Sequence, residues 1–272
     1  MIYTGSEGFM RIEIYNEWDH VPKVSAEGTD WAVLAWNGEY RKGDVISFSG
    51  LEEGRYYVVR ADAAMQEALV LITKDTVTYP VPFYEKKENL NPLAFSGNRH
   101  YLSIRFAEDF EISAYRNLAL NTFDRHEAAG VFPHAHANVE TRGESVFAAQ
   151  NAIDGILATE SHGEWPYESW GINRQDDAEL TIEFGRKVDI DEIRLYTRAD
   201  FPHDNWWVSA VFTFSDGTKE TVKMEKKSGV PHIFDIKRQG IEWVKLSDLI
   251  KADDPSPFPA LTQMEVYGKN SD

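Results

Sequence analysis

Apolar and polar residues alternate with a period of two along much of the chain. Segment 9–16, FMRIEIYN, sets Met10, Ile12 and Ile14 against charged or polar neighbours, and segment 178–185, AELTIEFG, repeats the pattern. Such alternation is typical of strands that bury one face. Both halves of the chain therefore predict β-strands whose every second side chain points into a core.

Turn residues separate these strand patterns at short intervals. The pair Asp216-Gly217 is typical of a tight hairpin turn, in which it supplies the positive-φ positions. Helix patterns are short: segment 145–155 is one candidate, and segment 240–250 favours a strand followed by a turn. Short strands spaced by roughly 8–12 residues, with no long amphipathic helix, predict an all-β fold of β-sandwiches or jelly rolls.

The strand pattern of the first half ends near Ala114, and a less periodic stretch begins at residue 117. No tract rich in Ser, Gly or Pro lies at this point, so no flexible linker is indicated. We therefore predict two packed β-sandwich domains, residues 1–116 and residues 117–272.

Charge and composition restrict the classes of partner. The net charge is −17, from 45 acidic and 28 basic residues, so nucleic acid and anionic membranes are not expected as partners. Aromatic residues make up 13% of the chain, which favours β-structure and recognition surfaces for sugars or peptides. The absence of cysteine excludes disulfides, thiol nucleophiles and cysteine-based zinc sites.

The N-terminal segment, MIYTGSEGFMRIEI, lacks a basic region followed by an apolar core, so it does not have the pattern of a signal peptide. No apolar run approaches the ~20 residues that span a bilayer. The sequence as it stands predicts a cytoplasmic protein, or a secreted one if it is the trimmed form of a longer chain.

Three motifs in the second half resemble a known class of module. They are AQNAIDG at 149–155, LTIEFGRKVDIDEIRLYTR at 180–198 and the closing strand MEVYG at 264–268. Residues 117–268 resemble discoidin domains, coagulation factor V/VIII C-domains and family-32 carbohydrate-binding modules. The resemblance implies a galactose-binding-like jelly roll and a carbohydrate partner. The first 116 residues carry no motif that names a family.

The same resemblance implies a structural calcium ion beneath the Asp-Gly loop. Carried over to this chain, its ligands are Asp154, Thr159 and Glu265. A hard cation takes 6–8 oxygen ligands, and a glycine lets carbonyl groups converge in a tight turn. The alternative is that Asp154 only caps a turn and Glu265 is a solvated edge residue. The spacing also departs from the family, because Thr159 is followed by Glu-Ser-His rather than by a nearby Trp.

Polar loops carry the candidate chemistry. Segment 198–207, RADFPHDNWW, is long for a hairpin loop, and segment 161–177 repeats its mixture of aromatic, basic and acidic residues. A further loop, KADDPSPFPAL at 251–261, is stiffened by three prolines. Sugars stack on aromatic rings and bind side chains that donate or accept paired hydrogen bonds. The predicted ligand-binding residues are His162, Trp165, Arg174, Arg198, His203, Asp204 and Trp206.

Adjacent tryptophans in an extended segment point to opposite faces. We therefore expect Trp207 to enter the core, while Trp206 anchors the loop or offers a stacking face. The alternative is that a bulge packs both rings into the core. His203 and Asp204, in turn, can form a simple turn motif instead of a site.

The sequence thus favours a non-catalytic carbohydrate-binding protein. Two other functions stay open: a glycan-active lyase or hydrolase that uses the loop His, Asp, Tyr and Arg side chains, and a protein-interaction module. A zinc site on His134-x-His136 needs about four ligands, with the others drawn from His126, His162 or His203. The sugar, the oligomeric state and the role of the N-terminal domain are left open.

Overall fold

The structure, a computed structural model, describes residues 9–126, 128–159 and 162–271. The chain forms two compact units that interleave in sequence. Unit 1 contains Met1–Phe83, Pro92–Glu108 and Ala129–Val131, and unit 2 contains Tyr84–Asn91, Asp109–Ala128 and Phe132–Asp272. The predicted all-β class is confirmed, because antiparallel strands form every sheet and the only α-helix is one short turn among the described residues. The predicted boundary at residue 117 and the predicted packing stay predictions.

Unit 1 contains two antiparallel sheets, ordered β2-β1-β4-β7 and β6-β5-β8-β3, and its residue Val131 begins the two-residue strand β10. The alternation in segment 9–16 is confirmed, because Met10, Ile12 and Ile14 are buried while their neighbours are partly exposed. The strands are β1 (Met10–Asn16), β2 (Pro22–Gly28), β3 (Trp31–Trp36), β4 (Asp44–Ser49), β5 (Arg55–Arg60), β6 (Ala68–Ile72), β7 (Val77–Pro80), β8 (His100–Phe106) and β10 (Val131–Phe132).

Unit 2 contains an array of eight antiparallel strands, in which β12-β17-β13-β16-β14-β15 follow one another, β11 pairs with β13 and β9 pairs with β17. Their bounds are β9 (Arg116–Asn117), β11 (His134–Ala137), β12 (Trp170–Gly171), β13 (Leu180–Thr197), β14 (Trp207–Phe214), β15 (Lys219–Lys223), β16 (His232–Lys251) and β17 (Ala260–Asn270). The strands surround one hydrophobic core to which Trp170, Phe184 and Trp207 contribute. The antiparallel array around a single core agrees with the all-β architecture that the sequence motifs indicated, and its assignment as a galactose-binding-like jelly roll stays a prediction.

Local predictions fare unequally. The hairpin at Asp216-Gly217 joins β14 to β15, but only Gly217 has a positive φ, of 82°. Segment 240–250 is strand, inside β16. The candidate helix at 145–155 is instead a pair of short 3-10 turns, Ser145–Phe147 and Ala149–Ile153. The other helical elements are α1 (Asp109–Ser113) and the 3-10 turns Tyr84–Lys87 and Thr141–Gly143.

Gly185 is a position within β13 that requires glycine, and it lies beside an irregularity in the strand pairing. Its φ is 68°, and a Cβ atom there would stand 2.4 Å from the ring of Phe132. Only glycine satisfies both conditions, since other residues rarely adopt this φ. The pairing of β13 with β16 shifts register just after this point. None of the described helices has the length and apolar character needed to cross a membrane.

Candidate functional site

A cleft of about 530 Å³, its mouth included, opens among the loops of unit 2. Four segments line it, 141–147, 171–174, 202–203 and 257–260, and His162 adds a further side chain. These segments lie next to strand ends: one follows β12, one precedes β14 and one precedes β17. The rigid strands therefore position loops that are free to carry ligand-binding side chains.

Aromatic rings form much of the wall of the cleft. His162 lies 5.5 Å from His203 and 6.5 Å from Phe147, measured between ring centroids. His203 lies 5.9 Å from Phe147 and 6.2 Å from Phe258. These separations are those of ordinary aromatic contacts. The wall is apolar yet contains ring nitrogens that can form hydrogen bonds.

His203 is the buried polar group of this wall, with a relative exposure of 8%. Its Nδ1 lies 3.1 Å from the carbonyl oxygen of Phe258, and its buried Nε2 has no hydrogen-bond partner among the described residues. Burial, aided by the nearby charge of Arg198, lowers the pKa of His203 to about 4. The ring is therefore neutral at physiological pH. Since Nδ1–H donates to Phe258, Nε2 is left as a hydrogen-bond acceptor.

Two guanidinium groups lie over aromatic rings of the cleft. Arg174 lies over Phe258, with its Cζ 4.5 Å from the ring centroid, and Arg142 lies 5.5 Å from the centroid of Phe147. Arg142 also forms a two-point ion pair with Glu144, with N–O distances of 2.5 and 2.6 Å. Both stacks orient a cation at the cleft, as cation–π geometry favours.

The backbone of the lining is strained at non-glycine positions. Arg142, Asn173 and Arg174 have φ values of 54°, 49° and 60°, in the left-handed region. The backbone N–H of Asn173 donates to the hydroxyl of Thr141 at 2.9 Å, which ties the two strained segments together. Residues held this way cost about 1–3 kcal/mol each and are concentrated at functional sites.

The structure brings three of the seven predicted ligand-binding residues, His162, Arg174 and His203, to this cleft. Trp165, Asp204 and Trp206 are partly buried and do not line it. Their part in binding, and that of Arg198, stays a prediction.

Arg198 has an evident structural role. It is 1% exposed, and its Nε donates to Asp200 at 2.8 Å while Nη1 donates to the carbonyl oxygen of Tyr167 at 2.6 Å. Its charge is thus balanced inside the loop.

The paired tryptophans divide as expected. Trp207 is fully buried and contacts Trp170, with ring centroids 6.4 Å apart. Trp206 is partly exposed, and Lys226 Nζ lies 5.3 Å from its ring centroid. The alternative in which both rings enter the core is wrong.

The cleft residues outside the predicted set include Arg142, Phe147, Asn173 and Phe258. The proline-stiffened loop at 251–261 had been identified as a candidate, and Phe258 lies within it. Phe147 gave no such signal, because a phenylalanine in a short apolar run is typical of the core. Asn173 lies directly before Arg174 in the candidate loop at 161–177, and this position was the signal that could have identified it.

The three predicted calcium ligands have separate partners. The Thr159 hydroxyl donates to Asp200 at 2.7 Å, and Glu265 accepts a hydrogen bond from the Tyr196 hydroxyl at 3.3 Å. Asp154 Oδ1 accepts the backbone N–H of Ile156 at 2.8 Å, which is the turn-capping contact. Within residues 9–126, 128–159 and 162–271, no three His, Asp or Glu side chains stand together as ready metal ligands.

A different carboxylate lies near Asp154. Loss of solvent, followed by the charge of Glu168, raises the pKa of Asp154 well above its ordinary value. Burial also raises the pKa of Glu168, which is 1% exposed. We call Asp154 and Glu168 the carboxylate pair. Two like charges in a poorly solvated region repel each other, so the pair requires protons or a cation.

One oxygen of the carboxylate pair, and polar atoms of two residues connected to it by sequence or by a hydrogen bond, are buried without partners in the described part of the chain. Among the described residues, Glu168 Oε1, the Ser169 hydroxyl and Gln263 Nε2 are buried without a hydrogen bond. Gln263 Oε1 accepts the backbone N–H of Gly155, next to Asp154, at 3.2 Å. Unpaired buried polar atoms are rare in proteins and often mark an ion or ligand that completes them.

The histidines of the predicted zinc site are each engaged elsewhere. His134 Nδ1 lies 2.7 Å from the buried carboxylate of Asp124, and His136 Nε2 lies 3.5 Å from Glu183. Of the other predicted donors, His162 and His203 belong to the cleft, and His126 Nδ1 lies 3.4 Å from Glu140. The zinc hypothesis therefore gains no support from the arrangement.

Family comparison gives a partial match. A family model described as a domain of unknown function (DUF7402) matches residues 131–252, less than half of the chain. No curated protein matches the chain.

Solved structures match the chain at low identity. Chitosan-binding module 1, from a chitosanase/glucanase of Paenibacillus sp. IK-5, is 18% identical over 57% of this chain and 100% of the module, with a TM-score of 0.39. A fucose binding module of Streptococcus pneumoniae is 14% identical over 57% of this chain and 96% of its own, with a TM-score of 0.41. The family 32 CBM of C. perfringens NanJ, in complex with galactose, is 18% identical over 49% of this chain and 91% of its own, with a TM-score of 0.35. A likeness this distant carries no conclusion about what this chain binds.

Proposed function

We propose that this protein is a non-catalytic carbohydrate-binding protein and that the sugar occupies the cleft of unit 2. The observation that carries the proposal is the buried Nε2 of His203, an acceptor without a partner in an aromatic-walled cleft. An unpaired buried acceptor costs about 1–3 kcal/mol, and a ligand hydroxyl removes that cost. The proposal rests on this geometry and not on the names of the matched modules.

The cleft offers the two kinds of contact that a sugar needs. Phe147 and Phe258 provide apolar ring surface for the C–H faces of a pyranose. Asn173 provides a donor for its hydroxyl oxygens, and His203 Nε2 accepts a hydrogen bond from a hydroxyl group. Small clefts with few polar groups of this kind fix the orientation of a ligand. We expect dissociation constants on the order of micromolar to millimolar for a single sugar unit.

We also propose a structural calcium ion, held by the carboxylate pair. The fit is supported by the chemistry of the donors: Asp154 and Glu168 supply carboxylate oxygens, and Gln263 adds an amide oxygen nearby. The unpaired Oε1 of Glu168 is a buried oxygen that a cation satisfies. Thr159 and Glu265 stay predicted ligands, although each has a protein partner. A bound calcium supplies positive charge that holds the loop at 154–159 together.

Calorimetric titration with a panel of mono- and oligosaccharides, in calcium and in EDTA, tests the function. We expect saturable binding of one sugar class by the wild type and a loss of about tenfold or more in His203→Ala. Phe214→Leu, a change at a buried core residue that does not line the cleft, serves as a control for general destabilisation. Folding of each variant is checked by circular dichroism. Absence of binding across the panel by the folded wild type contradicts the proposal.

A further inference from the structure

The charge of the cleft is opposite to that of the protein. Among the described residues that line it are two arginines and two histidines, and no aspartate or glutamate. The chain as a whole carries a net charge of −17. A locally positive site on a negatively charged protein attracts anions where the rest of the protein repels them, so it favours a ligand that carries negative charge.

The two arginines differ in how their charge is balanced. Arg142 is paired at two points with Glu144. Arg174 has no carboxylate within ion-pair distance in the part of the chain that the structure describes, and its guanidinium lies over the ring of Phe258 at 4.5 Å. Stacking engages the face of the guanidinium and leaves its N–H groups, which point outward in its plane, free to donate.

The backbone holds this free cation at the cleft. Asn173 and Arg174 both have left-handed φ values, and the N–H of Asn173 donates to Thr141 across the lining. A strained backbone persists only where its surroundings fix it, so the backbone at Arg174 is set before a ligand arrives, and the stack on Phe258 orients the side chain. Such preorganisation lowers the entropic cost of binding.

A ligand that covers Arg174 removes water from its guanidinium, and neutral and charged ligands compensate this cost differently. A neutral sugar replaces the lost water only with hydrogen bonds to uncharged hydroxyl groups. A carboxylate or sulfate returns both charge and the two-point geometry that matches the guanidinium fork. His203 is neutral and therefore accepts a hydroxyl without contributing to the charge. Hydroxyl recognition and charge recognition thus fall on different residues.

We infer that the cleft recognises an acidic sugar, whose carboxylate or sulfate group pairs with the guanidinium of Arg174. This inference rests on the proposed function, since it specifies the class of sugar at the same site. A uronic acid and a sulfated hexose share the recognised chemistry, an oxyanion attached to a pyranose ring.

The test uses matched pairs of ligands. Wild-type protein is titrated by calorimetry with glucose, galactose and mannose, with the uronic acid of each, and with the 6-sulfate of each. We expect one sugar to bind about tenfold or more tightly as its acidic form than as its neutral form. The preference falls at high salt, which screens charge. Comparison of the uronic acids with the sulfates tells which oxyanion the cleft takes.

Two variants locate the effect. Arg174→Gln is expected to remove the preference for the acidic form, reducing the ratio to within about twofold, while the neutral sugar still binds. Arg194→Gln is the matched control, because Arg194 also stacks on an aromatic ring, Tyr267 at 4.2 Å, but lies outside the cleft. That control is expected to keep the preference.

The outcomes separate this inference from the function it rests on. Equal or tighter binding of the neutral sugar by the wild type overturns the acidic-sugar inference and leaves carbohydrate binding in place. A preference for the acidic form that survives in Arg174→Gln also overturns it. Failure of every neutral and acidic sugar to bind the folded wild type contradicts carbohydrate binding itself.

Discussion

The cleft and the carboxylate pair are two regions of unit 2 with unpaired buried polar atoms, and they differ in the sign of their charge. The cleft has a neutral histidine and a guanidinium without a carboxylate partner among the described residues, while the charge of Glu168 acts on Asp154 in the other region. The cleft is open and aromatic, whereas Glu168 is buried and Asp154 is partly buried. The comparison teaches that an unpaired buried polar atom indicates a kind of ligand once the charge of the groups around it is considered. An acidic sugar suits the first region, and a divalent cation suits the second.

The largest expected effect is on the carboxylate pair. Calcium at about one hundred times its dissociation constant stabilises the folded state by about 2.7 kcal/mol, so EDTA lowers Tm by several degrees. Differential scanning calorimetry of the wild type with calcium and with EDTA measures this shift.

The double variant Asp154→Asn, Glu168→Gln makes the same Tm insensitive to calcium, because it removes both charges that bind the ion. Thr159→Val and Glu265→Gln, tested singly, show whether the ligands implied by the resemblance contribute. An unchanged Tm of the wild type in EDTA contradicts the proposal of structural calcium.

The two regions are expected to change the stability of the folded state in opposite directions as the pH falls. The folded-state pKa of His203, about 4, lies below its ordinary value of 6.5, so the unfolded chain binds more protons between these values. The free energy of unfolding therefore falls as pH falls from about 6.5 to about 4, by up to about 3 kcal/mol. Urea unfolding of the wild type and His203→Asn across this range measures the contribution, which the variant lacks. Parallel curves for the two proteins exclude it.

The carboxylate pair has the reverse pH dependence when calcium is absent. Raised pKa values mean that the folded pair holds protons that the unfolded chain has released. Stability is therefore greatest below the ordinary carboxyl pKa and is lost as pH rises through the raised values. In EDTA, the wild type is expected to lose this stability with rising pH, while Asp154→Asn loses less of it. If the variant matches the wild type at every pH, the two carboxylates do not interact.

The smallest expected effect concerns Trp206. Its ring does not line the cleft and is contacted by Lys226, so Trp206→Ala is expected to weaken sugar binding by less than about threefold. His203→Ala, in the wall of the cleft, provides the comparison. A loss in Trp206→Ala as large as that in His203→Ala extends the site to the loop at 204–206.

The sequence allowed prediction of features that depend on local pattern. Alternation identified β1 and the first part of β13 because burial on one face repeats every second residue. The loops at 161–177, 198–207 and 251–261 could be recognised as rich in ligand-binding residue types. Three of their residues, His162, Arg174 and His203, do meet in the cleft.

The remaining features depend on contacts between distant segments. Arg198 and Arg174 both stand in polar loops that contain aromatic residues. Arg198 is buried against Asp200, whereas Arg174 stacks on Phe258 at the cleft and has no carboxylate partner among the described residues. Phe147 could not be separated from a core residue by its neighbours alone. Glu168 was not identified as a candidate because its relation to Asp154 arises only when two loops approach each other.

The most direct measurement is amide chemical-shift mapping of the isotopically labelled protein during titration with the tightest-binding sugar of the panel. We predict that the shifted amide signals belong to the cleft, with Asn173, Arg174 and Phe258 among the largest, and that His203→Ala removes them. Saturable shifts confined to another surface, with the cleft signals unmoved, would contradict the assignment of the sugar to this site.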